Sequence, residues 1–506
     1  MVFLPLFFTF SVVTISFYLW NWSYWRRRGI PGPPAIPVFG NKLSLMSESE
    51  PYPVVLHEWR KKYGRTYGIQ EGIHQILVTS DPIVIQEVFQ KQFENFHERK
   101  LLTPINPKNP RINMLMASGH RWKRLRTISS PSFTSGNLKK LHPTIENSVL
   151  ELMSYMENHS GGSIDFEEYF QQYTMDVIGR VALGQTESVM FNNPMPKVIT
   201  SRVNFISTLA GVLGSVLPES IAKYVNVSFL AKFSKKKHPF QIIEEACEKS
   251  VYDRIKQREK DLAAGIEPGD PVDFIDLFLD AKSDELFDEE DYNKGNIKVS
   301  RRLTTDEIIA QCMVFLIAGF DTTSISLSFA TNLLATHPEV QKKVQEEIDR
   351  ECPNPSVDAE SLGRLHYIDA VIKETLRLYP LASLVNSRKC VNSTVCGDVF
   401  IEKGTYVQAD TWSLHYDKEL WGENAEEFVP ERWLEGDVNK NNWIPFGHGP
   451  RQCIGMRLSI MEQRLLFAHL LRKYTIVPGP RTKELQVRGV GIFRPQYTIF
   501  NVVERN

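Results

Sequence analysis

A chain of 506 residues with 42% hydrophobic and 24% charged side chains can bury a large core, and disorder is not its default. Its formal net charge of −1, with no concentrated basic stripe, argues against a nucleic-acid partner. The six cysteines (Cys247, Cys312, Cys352, Cys390, Cys396 and Cys453) include no C-x-x-C pair, which weakens zinc, iron–sulfur and disulfide-framework readings and suits a reducing compartment.

Val2 to Trp25 carries no charged side chain and is rich in Phe, Val, Leu and Ile. About 20 such residues suffice to cross a bilayer. Trp20, Trp22, Tyr24 and Trp25 form an interfacial aromatic belt, and Arg26, Arg27 and Arg28 follow it, so the positive-inside rule puts the rest of the chain in the cytoplasm. A cleaved signal peptide is disfavoured because the basic cluster follows the apolar run and no small-residue cleavage site is present. Pro31-Gly32-Pro33-Pro34 and Pro37 make a stiff, extended hinge. The organisation is an anchor over 1–28, a hinge over 29–40 and one large domain over 41–506. Periodicity predicts helices over Pro53–Tyr63, Ile83–Phe89, Thr144–Glu157, Phe166–Ala182, Phe240–Ala263, Thr305–Thr336, Pro338–Glu351, Asp369–Leu378 and Gly455–Lys473. Strands are expected over Thr66–Val78 and Gln496–Val503, and a polar surface loop over Lys282 to Arg302. The fold class is mainly α with small β-sheets.

Three constellations carry chemistry. In Phe446-Gly447-His448-Gly449-Pro450-Arg451-Gln452-Cys453-Ile454-Gly455, a lone cysteine sits in a glycine-punctuated loop before a helix. Such a loop can aim backbone N–H groups at one sulfur, and the helix adds the positive end of its dipole; both favour thiolate over thiol. Inside the long apolar helix lies Ala318-Gly319-Phe320-Asp321-Thr322-Thr323, where a hydroxyl and a carboxylate interrupt the apolar run and the threonine can bond back to an i−4 carbonyl. Glu374-Thr375-Leu376-Arg377 puts a carboxylate and a guanidinium on one helix face. Glu347 and Arg350 repeat that spacing and predict a plain surface pair.

The cysteine string resembles the haem-binding loop of the cytochromes P450, filling each position of that signature: Phe446, Gly447, Gly449, Arg451, Cys453 and Gly455. The resemblance extends to the proline hinge, Trp122 and Arg126, AGFDTTS, Glu374 and Arg377, and Phe428-Val429-Pro430-Glu431-Arg432-Trp433, and is nearest to the microsomal clan of steroid- and drug-oxidising P450s. It implies a P450 fold behind an N-terminal transmembrane helix, and haem b with Cys453 as axial thiolate. Ala318 and Gly319 would leave room for dioxygen, Thr322 would hold a water, and Asp321 would help relay protons. Glu374, Arg377 and Arg432 would form a buried structural network. Trp122, Arg126, Arg451 and Arg388 would serve the haem propionates, Arg388 in a stretch that runs one residue long. His448 reads as structural or partner-facing. By position, Leu115, Met116, Phe205, Leu209, Phe315, Leu384, Val385, Ile492 and Phe493 are candidates for an apolar substrate pocket.

The implied activity is a monooxygenase acting on a lipophilic steroid, fatty acid or xenobiotic at the endoplasmic reticulum membrane, with Leu209–Leu217 dipping into the lipid. No dinucleotide or flavin domain is evident, so electrons would come from NADPH–cytochrome P450 reductase, with cytochrome b5 as a possible helper; Lys123, Arg124, Lys139 and Lys140 are candidates for the docking patch. Rival readings are a haem-thiolate peroxide isomerase, against which Thr322 argues, and a membrane-tethered haem carrier or sensor.

Overall fold

The structure, a computed structural model, describes residues 3–100, 106, 108–157, 162–200, 212–214, 216, 217, 222, 239–267, 269–271, 273–282, 302–436, 438–479, 482 and 484–505. The first helix, α1 (Phe3–Trp22), spans 20 residues without a charge. The chain beyond it is docked rather than free. The Trp25 indole N–H donates to the Ile69 carbonyl at 2.8 Å, the Gly68 N–H reaches the Pro31 carbonyl at 2.8 Å, and Arg28 pairs with Glu402. The proline segment thus lies against a sheet instead of spanning solvent.

That sheet begins after α2 (Tyr52–Tyr63) with β1 (Thr66–Glu71) and β2 (His74–Thr79). The single strand expected over Thr66–Val78 is a hairpin: Gly72 takes φ 61°, a turn conformation open to glycine, and folds Thr66 onto Thr79. The helix expected from Thr144 runs from Ser135. In α3 (Gly119–Ser129) and α4 (Ser135–Glu157) the apolar faces are continuous, and Leu138, Ile145, Val149 and Leu152 bury one stripe across Pro143. Burial outweighs the proline penalty there.

The centre is built by β3 (Ser163–Asp165), α5 (Phe166–Leu183), α6 (Pro239–Ala263), α7 (Phe274–Asp280) and α8 (Thr305–Thr336). A capping box starts α8: Thr304 Oγ1 accepts from the Glu307 N–H, and the Glu307 carboxylate accepts from the Thr304 N–H, each at 3.2 Å. Among the described residues, α8 is the one helix found long and apolar enough to cross a membrane, yet most of it is buried in the protein core. Around it pack α9 (Pro338–Glu351) and α10 (His366–Leu378). Next come β4 (Ser387–Lys389), β5 (Tyr406–Ala409), α11 (Met456–Lys473), β6 (Tyr474–Pro478) and β7 (Ile499–Glu504). The four-stranded sheet has the order β1-β2-β5-β4, with β2 and β5 parallel, and the three-stranded sheet the order β3-β7-β6; two short two-stranded pairs complete the described strands. The architecture is mainly helical with small sheets, as expected.

The repeated Glu-x-x-Arg of α9 is not a surface pair. Glu347 is buried and accepts the Tyr367 and Ile368 N–H groups at 2.7 and 3.0 Å, so it caps the start of α10, while Arg350 turns to Glu351. Most of the polar stretch expected as a loop over Lys282 to Arg302 lies outside the described residues.

Candidate functional site

The cysteine loop is held open by two left-handed glycines. Gly447 has φ 77° and Gly449 φ 71°; a Cβ on Gly449 would stand 1.9 Å from the Phe89 carbonyl oxygen. The Cys453 N–H donates to the Phe446 carbonyl at 2.8 Å, and Phe446 rests edge-on against Trp443. Gly455 then caps α11. Backbone N–H groups of Gly455 and Met456, and the charges of Arg126 and Arg99, favour the thiolate, but burial dominates and pushes the thiol above its usual range. The N–H groups at the start of the helix thus act in the direction the sequence reading expected, with desolvation opposing them. By area Cys453 is nonetheless exposed: its surface opens onto a space deep inside the molecule, remote from bulk solvent.

On α8, Ala318 is the exposed residue in an otherwise covered stretch, with Val314 and Thr322 one turn away on either side and only half-buried. Thr322 Oγ1 donates to the Ala318 carbonyl at 2.7 Å. Thr323 donates to Ser459 at 3.1 Å, tying this turn to the first turn of α11. Ala318 and Cys453 thus border one interior space. Gly319 packs on α5: a Cβ there would meet the Ile178 side chain at 2.8 Å, so its small size serves the close approach of α8 to α5, while Ala318 is the more open of the two. Asp321 is buried, and both its oxygens accept from Arg494, at 3.2 and 3.0 Å. Arg494 also donates to Glu167 at 2.6 Å.

Four guanidinium groups gather near the thiol. Arg388 is 1% exposed, donates to the Ser387 carbonyl at 2.8 Å and the His448 carbonyl at 3.4 Å, and lies over the Phe89 ring. Arg99 donates to the Arg451 carbonyl at 2.8 Å. Arg451 stacks 4.7 Å over buried Trp122. Arg126, on the same helix as Trp122, is half-buried and acts electrostatically on the Cys453 thiol. Burial, followed by the charge of Arg99, lowers Arg388 well below the usual guanidinium range; burial lowers Arg99 to about 10, with Cys453 opposing and Arg126 adding to the shift. No carboxylate pairs with Arg99, Arg126 or Arg388 among the described residues. A cationic cluster this desolvated is complemented by a ligand that brings its own carboxylates, and the two propionates of haem do so while its iron meets a thiolate. The residues present therefore fit haem.

Behind the loop, Glu374 receives Arg377 at 2.9 and 2.8 Å, Arg432 at 2.9 Å and the Trp433 indole N–H at 2.9 Å. Arg377 and Glu374 are fully buried, and Arg377 also takes the carbonyls of His415 and Ala425 at 2.7 and 2.6 Å. His415 accepts the Ile444 N–H at 3.0 Å through Nε2, leaving its Nδ1–H for the Arg377 carbonyl at 2.8 Å; burial holds it neutral, lowered to about 3. This strut joins α10 to the run-up of the cysteine loop.

The expected pocket residues divide. Met116 and Val385 are exposed and Leu115, Leu384 and Ile492 half-buried; a Cβ on Gly491 would touch Leu384 at 3.6 Å, so the last two segments meet. Phe315 and Phe493 are core instead. Phe315 stacks on Phe278 and meets Phe274 edge-on, and Phe493 packs against Trp412 and Phe329. Phe205 and Leu209 lie outside the described residues, as does most of Leu209–Leu217. Arg124 is no surface cation: it is buried, with Glu307 at 2.8 Å. His448 is half-buried and shares a hydrogen bond of 3.0 Å with Gln90. Arg99, His415 and Arg494 escaped sequence reading, since no local pattern distinguishes them from solvated charges or a core histidine.

A helical fold with one loop thiol facing a deep space beside a cluster of buried guanidinium groups defines a haem-thiolate protein. The chain belongs to the cytochrome P450 family, whose model matches residues 30–500. Similar relatives come from Caenorhabditis elegans. Cytochrome P450 CYP13A1 is 45% identical over 516 residues, covering 99% of each chain. Cytochrome P450 CYP13A2 is 48% identical over 495 residues, 94% of this chain and 93% of that one. Cytochrome P450 CYP13A4 is 46% identical over 507 residues, 97% of each. Members of the family are monooxygenases that hold haem through an axial cysteine thiolate.

Proposed function

We propose that this monooxygenase inserts one oxygen atom of dioxygen into a lipophilic small molecule, with Cys453 as the iron ligand and Arg99, Arg126, Arg388, Arg451 and Trp122 receiving the propionates. The observation that carries this reading is the cluster of desolvated guanidinium groups beside Cys453. When bound, haem supplies the oxidising chemistry, with the thiolate favouring O–O cleavage. The protein's own part is positioning and proton handling. Binding the metal costs the thiol its proton, and Arg99 and Arg126 stabilise the charge left on sulfur. Thr322, its hydroxyl proton committed to the Ala318 carbonyl, presents an oxygen lone pair toward the interior space and can accept from a water there. Asp321 can feed that water a proton only when it swings away from Arg494. Leu115, Met116, Leu384, Val385 and Ile492 offer an apolar wall suited to a steroid, fatty acid or xenobiotic.

The electron source in this reading is NADPH–cytochrome P450 reductase, assisted by cytochrome b5. A groove of about 480 Å³ beside α11 supports a docking face, because Lys139, His142, Lys373, Arg457 and Arg464 line it against the single acid Asp369. Helix α1 is proposed as the membrane anchor over residues 1–28, with 29–40 as the hinge and 41–506 as the catalytic domain on the cytoplasmic face of the endoplasmic reticulum. Val13, Ile15, Phe17, Leu19 and Trp20 are exposed, and 20 residues of helix reach about 30 Å, the thickness of the hydrocarbon core. The test is reconstitution with reductase, NADPH and a panel of steroids, fatty acids and xenobiotics. Hydroxylated product is expected, with oxygen consumption uncoupled from product in Thr322→Ala. Turnover of a hydroperoxide without NADPH, and no NADPH-dependent product, would contradict the reading.

A further inference from the structure

Residues 111–117 bridge the two sides of the interior space. The Met114 N–H donates to Gln311 Oε1 at 3.1 Å, and Gln311 lies two turns before Ala318 on the same face of α8. At the other end the Ala117 carbonyl accepts from the Arg451 guanidinium of the cysteine loop. Between these two attachments lie Leu115, half-buried, and Met116, 39% exposed. The segment is therefore a wall of the site.

Its outer end is fastened by one side chain. Arg111 donates through Nε to Asp306 at 2.8 Å, through one terminal nitrogen to Glu244 at 2.8 Å, and through the other to Glu248 at 3.3 Å. Asp306 belongs to the first turn of α8, and Glu244 and Glu248 stand one turn apart on α6. A single fork thus joins the wall to two helices, using all three of its nitrogens. Arg121 reinforces the joint by donating to the Asn109 and Pro110 carbonyls at 3.1 and 2.7 Å. The fastenings differ in exposure. Those at Met114 and Ala117 are buried, whereas the Arg111 side chain is 27% exposed and its three acids 36–43%. Salt screens the outer joint far more than the inner ones.

We propose that Arg111 is a latch: a positioning residue that closes the 111–117 wall against α6 and α8 and so controls the entry and release of bulky lipophilic ligands. The inference rests on the haem reading of the Cys453 site and goes beyond it. The wall swings at its outer end, about the buried attachments at Met114 and Ala117. A small ligand reaches the iron with the latch closed; a large one needs it open.

The test is stopped-flow binding to the haem-loaded protein, read by the Soret band, with imidazole as the small probe and clotrimazole as the bulky one. Arg111→Ala should speed clotrimazole entry and release by about tenfold, the scale of three partly exposed ion pairs, and leave imidazole rates unchanged. Asp306→Asn, which keeps the fork and two of its acids, should give a smaller change in the same direction. High salt should move the wild-type rates toward those of Arg111→Ala, and Arg111→Lys, lacking a fork, should rescue only in part. Amide exchange over 108–117 should quicken in Arg111→Ala. Equal acceleration of both probes, or of neither, overturns the latch while leaving the haem site standing. A wild-type protein whose Soret band does not respond to imidazole overturns the haem reading and the latch together.

Discussion

Glu374 shows how one residue can carry a site it does not touch. Its carboxylate is fully buried and receives two guanidinium groups and an indole N–H. Glu374→Ala leaves Arg377 charged, buried and without its acid, which costs about 3–5 kcal/mol. Urea unfolding and haem content should fall together, and a variant that keeps both would contradict the structural role. Glu462 behaves differently. It is buried on α11, and desolvation raises its carboxyl to about 8. Unfolded, it titrates near about 4.3. The folded state thus holds a proton that the unfolded chain releases in that window. Its contribution to stability is complete below about pH 4, falls as pH rises to about 8 and is flat above. Glu462→Gln should flatten this part of the stability profile, measured by thermal unfolding from pH 5 to pH 8. At this scale the sequence exposed Cys453, Glu374, Arg377 and Arg432 because each sits in a dense local pattern. It hid Arg99, His415 and Arg494, whose roles arise from partners tens to hundreds of positions away.

At the scale of elements, α8 and the cysteine loop divide the work. The bounds of α8 were legible because a capping box opens it and Pro338 follows its end. Gly319 packs against Ile178 on α5, a contact no local pattern encodes. Helix α4 was read short because Pro143 looks like a start, while the buried stripe from Leu138 to Leu152 holds the helix through it. Two strands of the first sheet, β4 and β5, were missed, since runs of three and four residues carry too few side chains for a period of two to show. In the loop, Gly449 has a positive φ and almost touches the Phe89 carbonyl. Gly449→Ala should displace the loop and lower haem retention more than it lowers helix content. Haem titration beside far-UV circular dichroism checks this, and unchanged affinity would mean that the loop tolerates a side chain there.

The whole molecule is a helical body whose candidate chemistry sits at its centre. Deep burial sets the electrostatics of the site: the same desolvation that raises the Cys453 thiol acts on Arg99 and Arg388, and a ligand with two carboxylates and a metal ion relieves both. At the rim, the proposed docking groove beside α11 draws chiefly on Lys139 and Arg457, since Lys373 and Arg464 both pair with Asp369. Reversing Lys139 and Arg457 to Glu should weaken reductase-supported turnover, more so at low ionic strength, with the absorption spectrum unaltered; turnover independent of salt would remove the groove from the account. The central claim is that Cys453 holds the haem iron as a thiolate. The most direct measurement is the absorption spectrum of the reduced, carbon monoxide-bound protein, compared with that of Cys453→His. The wild type should show the red-shifted Soret band of thiolate ligation and the variant should lose it; the same band in both, or its absence from a haem-loaded wild type, would contradict the account.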